Sequence, residues 1–263
     1  MLTPRSSLRA LAFVLLLASA PVRAADYTDI WYVPTESGWG ANVVQSDLFM
    51  FVTFFIYGPD GKPTWYTADL TFDGSSYTGN LYATQGTYWA LPWNGASVTT
   101  TPVGTARFTP NALNVYQATL TWTVTGTGSV TKAIERQTLT TIPLGGDYVG
   151  GQTGRYTSCS NAADNSSYTD RFNLSVAQAS GVATFTFTYN DAAANCTLSG
   201  TLEQHGLTYR IPGGPYKCTG GLVFSTTATL YEIKATSLGI EGRFAATLPN
   251  GCREEANFSA VLR

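Results

Sequence analysis

The stretch "GANVVQSDLFMFVTFFIYGPDGKPTWYTADLTF", residues 40–72, contains three β-rich runs. They fall near 40–46, 49–57 and 63–72, and the turn "GPDGKP" supplies glycine and proline between the last two. Valine, phenylalanine, tyrosine and threonine favour an extended backbone, and the region shows no helical periodicity. The stretch therefore predicts three successive antiparallel strands joined by short loops.

The same alternation of β-rich runs and turn signals continues along the chain. In the first half we expect further strands near 76–84, 87–91, 103–109, 113–124 and 131–140. In the second half we expect strands near 148–158, 168–177, 182–189, 195–203, 207–211, 222–231, 239–248 and 252–262. Meander order is the simplest topology for such a series. The sequence predicts an all-β protein with two successive antiparallel β-barrel or sandwich domains, of about eight strands each.

The first 24 residues have the pattern of a secretory signal peptide. Arg5 and Arg9 precede an apolar run over 10–20, and the small residues Val22 and Ala24 fit a cleavage site. The apolar run is too short to span a bilayer. We therefore expect a secreted or periplasmic protein with no membrane span.

A domain boundary is predicted at "TIPLGGDYVGGQTG", residues 141–154, where one proline and five glycines cluster. All six tryptophans precede this segment and all four cysteines follow it. We expect an aromatic-rich domain over 25–144, stabilised by buried rings, and a disulfide-bonded domain over 145–263.

An even number of cysteines in an exported chain predicts two disulfides, and three pairings are open. We favour Cys196–Cys218, because the segment between them has the pattern of a hairpin that turns at 204–206. The remaining pair, Cys159–Cys252, would join the first and last strands of the second domain. A zinc site is the weaker alternative, because the only histidine is His205 and no CxxC pair is present.

The charge balance argues against nucleic acid as a partner. Three of the 15 basic residues lie in the predicted signal peptide, which leaves twelve bases against 17 acids in the mature chain. A phosphate backbone is bound by a basic surface, and this surface is acidic.

The motif "ESGWG", residues 36–40, precedes the first β-rich run, and we interpret it as a fold device. Gly38 and Gly40 would allow unusual backbone angles around a packed indole, and Trp39 would plug one end of the barrel. Glu36 has three open roles: it accepts hydrogen bonds from the turn, pairs with Arg136, or faces a ligand site.

Residues 29–70, with "DIWYVPTESGWGAN" followed by an aromatic strand and "GKPTWY", resemble a recurring "WxxPxESGWGxN" module of exported bacterial proteins. The later "GTARF" and "KAIERQ" also fit that module. The resemblance implies export and fold, and it brings no established activity. A looser resemblance is to lipocalin-like barrels, and it implies that Arg136 of the last strand stacks on Trp39.

No residue pattern in the chain favours catalysis. His205 falls in a predicted exposed hairpin turn, and a cysteine nucleophile would break the even disulfide count. Glycoside hydrolysis requires two carboxyl groups across a cleft. The candidate acids Asp69, Asp73, Glu254 and Glu255 have the pattern of solvated faces or turn caps. We expect a protein that is not an enzyme and needs no cofactor.

The aromatic surplus of the first half indicates binding. Large amphipathic rings near loops can stack on sugar rings, and the candidate residues are Trp65, Tyr66, Tyr88, Trp89 and Trp93, with Glu36 as a further candidate. We expect an exported glycan-binding protein. The first alternative is a carrier of a small apolar ligand inside a barrel, because the strand over 48–57 is apolar on both faces. The second is a structural or adhesive surface protein without a small ligand.

Overall fold

The computed structural model describes residues 25–263, so the predicted signal peptide over 1–24 lies outside the described residues. The regular elements of the described chain are β-strands, apart from two short 3-10 turns at Gly95–Ser97 and Ala162–Asp164. The strands form two successive antiparallel barrels, which confirms the predicted fold class. No helix in residues 25–263 is long and apolar enough to cross a membrane.

The first barrel is a meander of eight strands within the described chain. They are β1 (Asp29–Tyr32), β2 (Gly40–Ser46), β3 (Phe49–Tyr57), β4 (Pro63–Phe72), β5 (Tyr77–Gln85), β6 (Thr99–Pro110), β7 (Gln117–Val124) and β8 (Gly128–Arg136). The barrel closes at β1, where Trp31 lies opposite Ala41 of β2 on one side and Arg136 of β8 on the other. Closure leaves no free sheet edge.

Side chains fill the interior of the first barrel. Because successive residues of a strand point to opposite faces, every second residue is directed inward. The largest fully buried ones are apolar: Trp31, Tyr77, Phe54, Phe108, Met50, Leu70, Leu81 and Leu120. This packing forms one continuous core along the barrel axis.

Two strand predictions in the first half were wrong. The sequence reasoning missed β1, because four residues are too few to show alternation. It also predicted a strand over 87–91, where the backbone instead turns with Leu91 N–H bonded to the Tyr88 carbonyl. Tyrosine and tryptophan favour strands only where a neighbouring strand is available, and here none pairs with them.

The second barrel also closes with eight strands, counted within the described residues. They are β9 (Gly146–Thr157), β10 (Ser166–Ala179), β11 (Val182–Tyr189), β12 (Ala194–Thr201), β14 (Thr208–Gly220), β15 (Phe224–Ala235), β16 (Gly239–Thr247) and β17 (Arg253–Leu262). A three-residue strand, β13 (Glu203–His205), forms a hairpin with β14. Pairing of β12 with β14 and of β9 with β17 completes the ring.

The main difference from the predicted strands of the second half lies in β14. The predicted strand ends near 211, just before the segment "PGGP" over 212–215. The strand instead continues to Gly220 and absorbs these residues in register shifts against β15. Glycine and proline are tolerated in a strand where the ladder is already interrupted.

Both predicted disulfides are present. Cys196 and Cys218 lie directly opposite each other on β12 and β14. Cys159 follows β9 and Cys252 precedes β17, so the second bond joins the ends of two paired strands. Both bonds lie at the same end of the second barrel, because these strand ends meet there.

The loops between strands form two exposed ends of the molecule, one on each barrel. The far end of the first barrel is formed by the loops at 33–39, 58–62, 86–98 and 125–127. The mouth of the second barrel is formed by the loops at 158–165, 190–193, 221–223 and 248–252. Alternate loops of an antiparallel meander lie at the same end, which defines both groups.

The opposite ends of the two barrels contact each other. The Leu207 N–H donates to Asp29 Oδ2 at 3.0 Å, and the Glu232 N–H donates to the Tyr116 hydroxyl at 2.9 Å. His205 stacks on Tyr116 with ring centroids 4.5 Å apart. The hairpin of β13 and β14 and the bulged strand β15 therefore lie against the base of the first barrel.

Candidate functional site

The ESGWG motif forms the loop between β1 and β2 at the far end of the first barrel. Glu36 accepts a hydrogen bond from Trp39 Nε1 at 3.1 Å and another from Lys132 Nζ at 2.8 Å. The hydrogen bond from Lys132 holds the pKa of Glu36 below its usual range. The cationic partner of Glu36 is therefore Lys132, and pairing with Arg136, one of the three roles left open for Glu36, does not occur.

The two glycines of the motif have different functions. Gly38 has φ +100°, a conformation that side chains rarely adopt, and an added Cβ would lie 3.0 Å from the Tyr57 hydroxyl. Gly40 begins β2, and an added Cβ there would meet the Trp31 carbonyl oxygen at 2.9 Å. Gly38 provides the turn, and Gly40 permits the close approach of β1 and β2.

Trp39 covers the core at the far end and is half-buried. Its ring packs against Trp122 with centroids 5.6 Å apart, and Trp122 packs against Phe54 of the core at the same distance. The fully buried indole is that of Trp31, which the sequence reasoning did not select. The barrel plug predicted for Trp39 is therefore divided between two tryptophans, one at each end.

Arg136 lies at the opposite end from Trp39, so the predicted stacking of Arg136 on Trp39 is wrong. The guanidinium carbon lies 5.1 Å from the centroid of the Trp31 ring, because Trp31 is the register partner of Arg136. The guanidinium donates to Asp29 Oδ2 at 3.3 Å, and both side chains are buried. An arginine of the last strand therefore packs on a tryptophan, but that tryptophan is Trp31 within β1 and not Trp39 in the loop that follows β1.

Three of the candidate ring residues lie together on one ordered loop, over 86–98. The hydroxyl of Thr87 donates to the Asn94 carbonyl and accepts from the Asn94 N–H, both at 3.0 Å, and these bonds close the base of the loop. Between them, Tyr88, Trp89 and Trp93 are 60%, 86% and 73% exposed. The Tyr88 and Trp89 rings lie 5.6 Å apart. We call residues 88–93 the aromatic loop.

Trp65 and Tyr66 lie on opposite faces of β4, as adjacent strand residues must. Trp65 faces outward and is 55% exposed, opposite Phe55 of β3. Tyr66 faces inward and packs against the core of the first barrel. Trp65 is therefore available to a ligand, and Tyr66 has a packing role.

The outer face of β3 carries exposed rings at Phe49, Phe51, Phe55 and Tyr57. These rings make the strand apolar on its outer side as well as on its inner side. The inner residues Met50, Val52 and Phe54 are fully buried, but the second barrel contacts the base of the first and leaves the outer face of β3 exposed.

The groups considered for catalysis have structural partners. His205 is half-buried against Tyr116, which corrects the predicted exposed turn. Asp73 accepts bonds from the Ser75 and Ser76 N–H groups, and these lower its pKa. Glu255 pairs with Arg155 at 2.9 Å. No group of three or more potential metal ligands occurs within residues 25–263.

The prediction that Glu254 lies on a solvated face is wrong. Its side chain lies inside the second barrel and is 4% exposed. The strand pattern contains the signal for this position. Glu254 is in phase with Ala256, Phe258 and Ala260, all of which are buried. An acid in the inward phase of a strand is a candidate for function, because a buried carboxylate costs free energy unless it is partnered.

No protein-family model matches the chain, and no curated protein sequence matches it. A search of solved structures finds weak likenesses. A "putative outer membrane protein" of Bacteroides fragilis aligns over 91% of this chain and 97% of that one, at 11% identity and a TM-score of 0.33. A double mutant of the vaccine antigen transferrin-binding protein B from Haemophilus parasuis aligns over 87% and 66%, at 9% identity and a TM-score of 0.31. TM-scores of this size establish no relationship, and nothing about function follows from them.

Proposed function

We propose that the chain is an exported, non-enzymatic binding protein that recognises glycans through the aromatic loop and Trp65. The observation that carries the proposal is the exposure of the three rings of the aromatic loop on a loop whose base is closed by hydrogen bonds. An ordered loop loses little conformational entropy when it binds a ligand. Two disulfides in the second barrel support an oxidising, extracytoplasmic location.

The neighbours of the aromatic loop suit a polar ligand. Residues 74–106 contain no charged side chain and are rich in threonine, serine, asparagine and glutamine. Sugar rings present an apolar face for stacking and hydroxyl groups for hydrogen bonds, and the exposed rings with their uncharged polar surroundings match both. The filled interior of the first barrel counts against the alternative of an apolar ligand carried there.

Titration of folded residues 25–263 with soluble polysaccharides, followed by tryptophan fluorescence, tests the proposal, since every tryptophan lies in the first barrel. We expect a saturable shift in the parent chain. Calorimetric titration, which does not depend on the indoles that are removed, should show that binding is lost in the double variant Trp89→Ala/Trp93→Ala. The matched control is Leu113→Ala, which removes an almost fully exposed apolar side chain at the opposite end of the same barrel. Equal binding by the double variant would contradict the proposal.

A second candidate function is that of a structural or adhesive surface protein without a small ligand. The exposed ring row on the outer face of β3 favours it, because apolar patches of this kind commonly mark contact with other macromolecules. This function would be favoured over glycan binding if no polysaccharide changed the fluorescence and if the chain self-associated in a way that is lost in Phe51→Ser/Phe55→Ser. A monomeric parent chain would count against it.

A further inference from the structure

The mouth of the second barrel opens into a cavity of about 590 Å³. Its walls include Tyr156, Tyr189 and Tyr216, together with Phe224 and the carboxyl group of Glu254. The size is that of a site for a small organic molecule, and such sites combine aromatic walls with a few polar groups. None of the residues that the sequence predicts to bind a ligand lines this cavity, so it is separate from the aromatic loop and Trp65.

Glu254 has no cationic partner within the described chain. Its carboxylate accepts a short hydrogen bond from the Tyr168 hydroxyl, and the Tyr168 ring stacks on Tyr156. The lysine and arginine residues that form ion pairs in residues 25–263 all pair with other acids. Burial raises the pKa of Glu254. A buried carboxylate held by a neutral hydroxyl group is a site at which a ligand can supply the missing positive charge.

The cavity is also acidic at its rim. Besides Glu254, its lining includes Asp164, Asp170 and Asp191, with Arg171 as the one basic residue among the lining residues. A concave surface with an excess of one charge sign raises the local concentration of oppositely charged ligands. The rim therefore favours the entry of cations over anions.

Aromatic rings surround the carboxylate. Tyr156 and Tyr168 are stacked with centroids 4.9 Å apart, and the Tyr168 hydroxyl donates a hydrogen bond to Glu254. Tyr189 is fixed by a bond from its hydroxyl to Gln152 at 3.1 Å. The faces of such rings attract organic cations, including alkylammonium ions, and desolvation in a cavity strengthens this attraction.

The rim is held by covalent bonds. Cys196 and Cys252 line the cavity, and each belongs to one of the two disulfides. Cross-linking at one end of a barrel keeps the loops there in fixed positions before a ligand arrives. A site formed in advance loses less entropy on binding than one that must close around its ligand.

We propose that the mouth of the second barrel binds a small organic ammonium ion, with Glu254 as its counter-ion and the tyrosine rings as its walls. The ligand class follows from three independent features: an acid without a basic partner, an aromatic lining and an acidic rim. A metal ion fits less well, because the described residues bring no three ligating side chains together. The inference does not depend on glycan binding by the first barrel.

Calorimetric titration of the full mature chain tests the proposal. The probes are phenethylammonium and tetramethylammonium chloride, and phenylacetate serves as a probe of similar shape with reversed charge. We expect saturable binding of at least one cation and none of phenylacetate. Glu254→Gln, which keeps the shape and the tyrosine contacts, should weaken cation binding by roughly tenfold to a hundredfold.

A second variant guards against a loss of fold in Glu254→Gln. Tyr216→Leu removes one ring from the cavity wall without touching the carboxylate, and it should weaken the binding of both cations by roughly threefold to tenfold. Trp89→Ala/Trp93→Ala should leave cation binding unchanged, which separates this site from the proposed glycan site. Binding of phenylacetate as tightly as the cations, unchanged binding by Glu254→Gln, or no binding of either cation would overturn the proposal.

Discussion

The two barrels share an architecture and are stabilised by different means. The first is filled by aromatic and aliphatic side chains, and a buried arginine packs on a buried tryptophan at its base. The second is cross-linked at its mouth by two disulfides, and it contains a cavity with a buried carboxylate there. The difference shows that the side chains inside a closed meander can vary widely, because pairing between strands already satisfies the hydrogen-bonding groups of the backbone.

The largest expected effect concerns the core of the first barrel. Trp31→Ala removes a fully buried indole and the ring beneath the Arg136 guanidinium. We expect a loss of about 3–5 kcal/mol in the free energy of unfolding of this barrel, from urea unfolding followed by fluorescence of the remaining tryptophans. Trp39→Ala, at a half-buried position, is the matched control and should cost less. An equal or larger loss in Trp39→Ala would reverse the roles assigned to the two indoles.

The next effect concerns the cross-links of the second barrel. Cys159→Ser/Cys252→Ser removes a bond across 93 residues, and Cys196→Ser/Cys218→Ser removes one across 22. Each should destabilise the second barrel by about 2–5 kcal/mol, and the first pair should cost about 1 kcal/mol more because its loop is longer. Tyrosine fluorescence or amide hydrogen exchange of the second barrel measures the loss. A matching loss in the first barrel would show that the barrels unfold as one unit.

Much of the fold follows from the sequence, because the strands are long and turn residues separate them. The strand over 182–189 agrees with β11 at both ends, and both disulfides follow from cysteine positions relative to the strands. The failures have local causes. The strand β1 has too few residues to show a period, and the aromatic loop contains residues that favour strands but find no neighbour to pair with.

The candidate sites were harder to predict than the fold. The sequence contains the exposed rings of the aromatic loop, but it does not show which aromatic residues of a barrel face outward into solvent. Glu254 was assigned to the surface because acids usually lie there, although its strand phase places it among buried residues. The sequence analysis assigned the stacking with Arg136 to Trp39, because the glycines on either side of Trp39 mark it as part of a motif. The residue that stacks is Trp31, and its register with Arg136 is visible only in the folded sheet.

A smaller effect is expected for the buried acid of the second barrel. Burial raises the pKa of Glu254 in the folded state, so the stability that this group contributes is full at acidic pH and falls as the pH rises through that raised pKa. Tyr156, Tyr168 and Asp170 are the titratable groups that act on it. We expect Glu254→Gln to raise the midpoint of thermal unfolding at neutral pH, corresponding to about 1 kcal/mol, and to have little effect in acid.

Asp170→Asn is the control for Glu254→Gln, because Asp170 raises the pKa of Glu254 through its charge and is itself only half-buried. It should change the stability in the same direction by a smaller amount. A midpoint that falls at neutral pH in Glu254→Gln would show that the ionised carboxylate stabilises the barrel, and would contradict the account of an acid without a counter-ion.

The smallest effect is expected at the far end of the first barrel, where Glu36 pairs with Lys132 in contact with solvent. The hydrogen bond from Lys132 lowers the pKa of Glu36, so its contribution is present near neutral pH and is lost as the pH falls below 4.5 through the lowered value. Glu36→Gln keeps an acceptor for Trp39 Nε1 and should change the unfolding midpoint little. The difference should disappear in high salt, because exposed pairs are screened.

The buried pair of Arg136 and Asp29 provides the contrast: Asp29→Asn should destabilise the first barrel strongly at every salt concentration, since neither charge is reached by solvent. Thermal unfolding of both variants in low and high salt checks this, and a salt-independent loss in Glu36→Gln would mean that the ESGWG loop depends on its acid as much as the base of the barrel depends on Asp29.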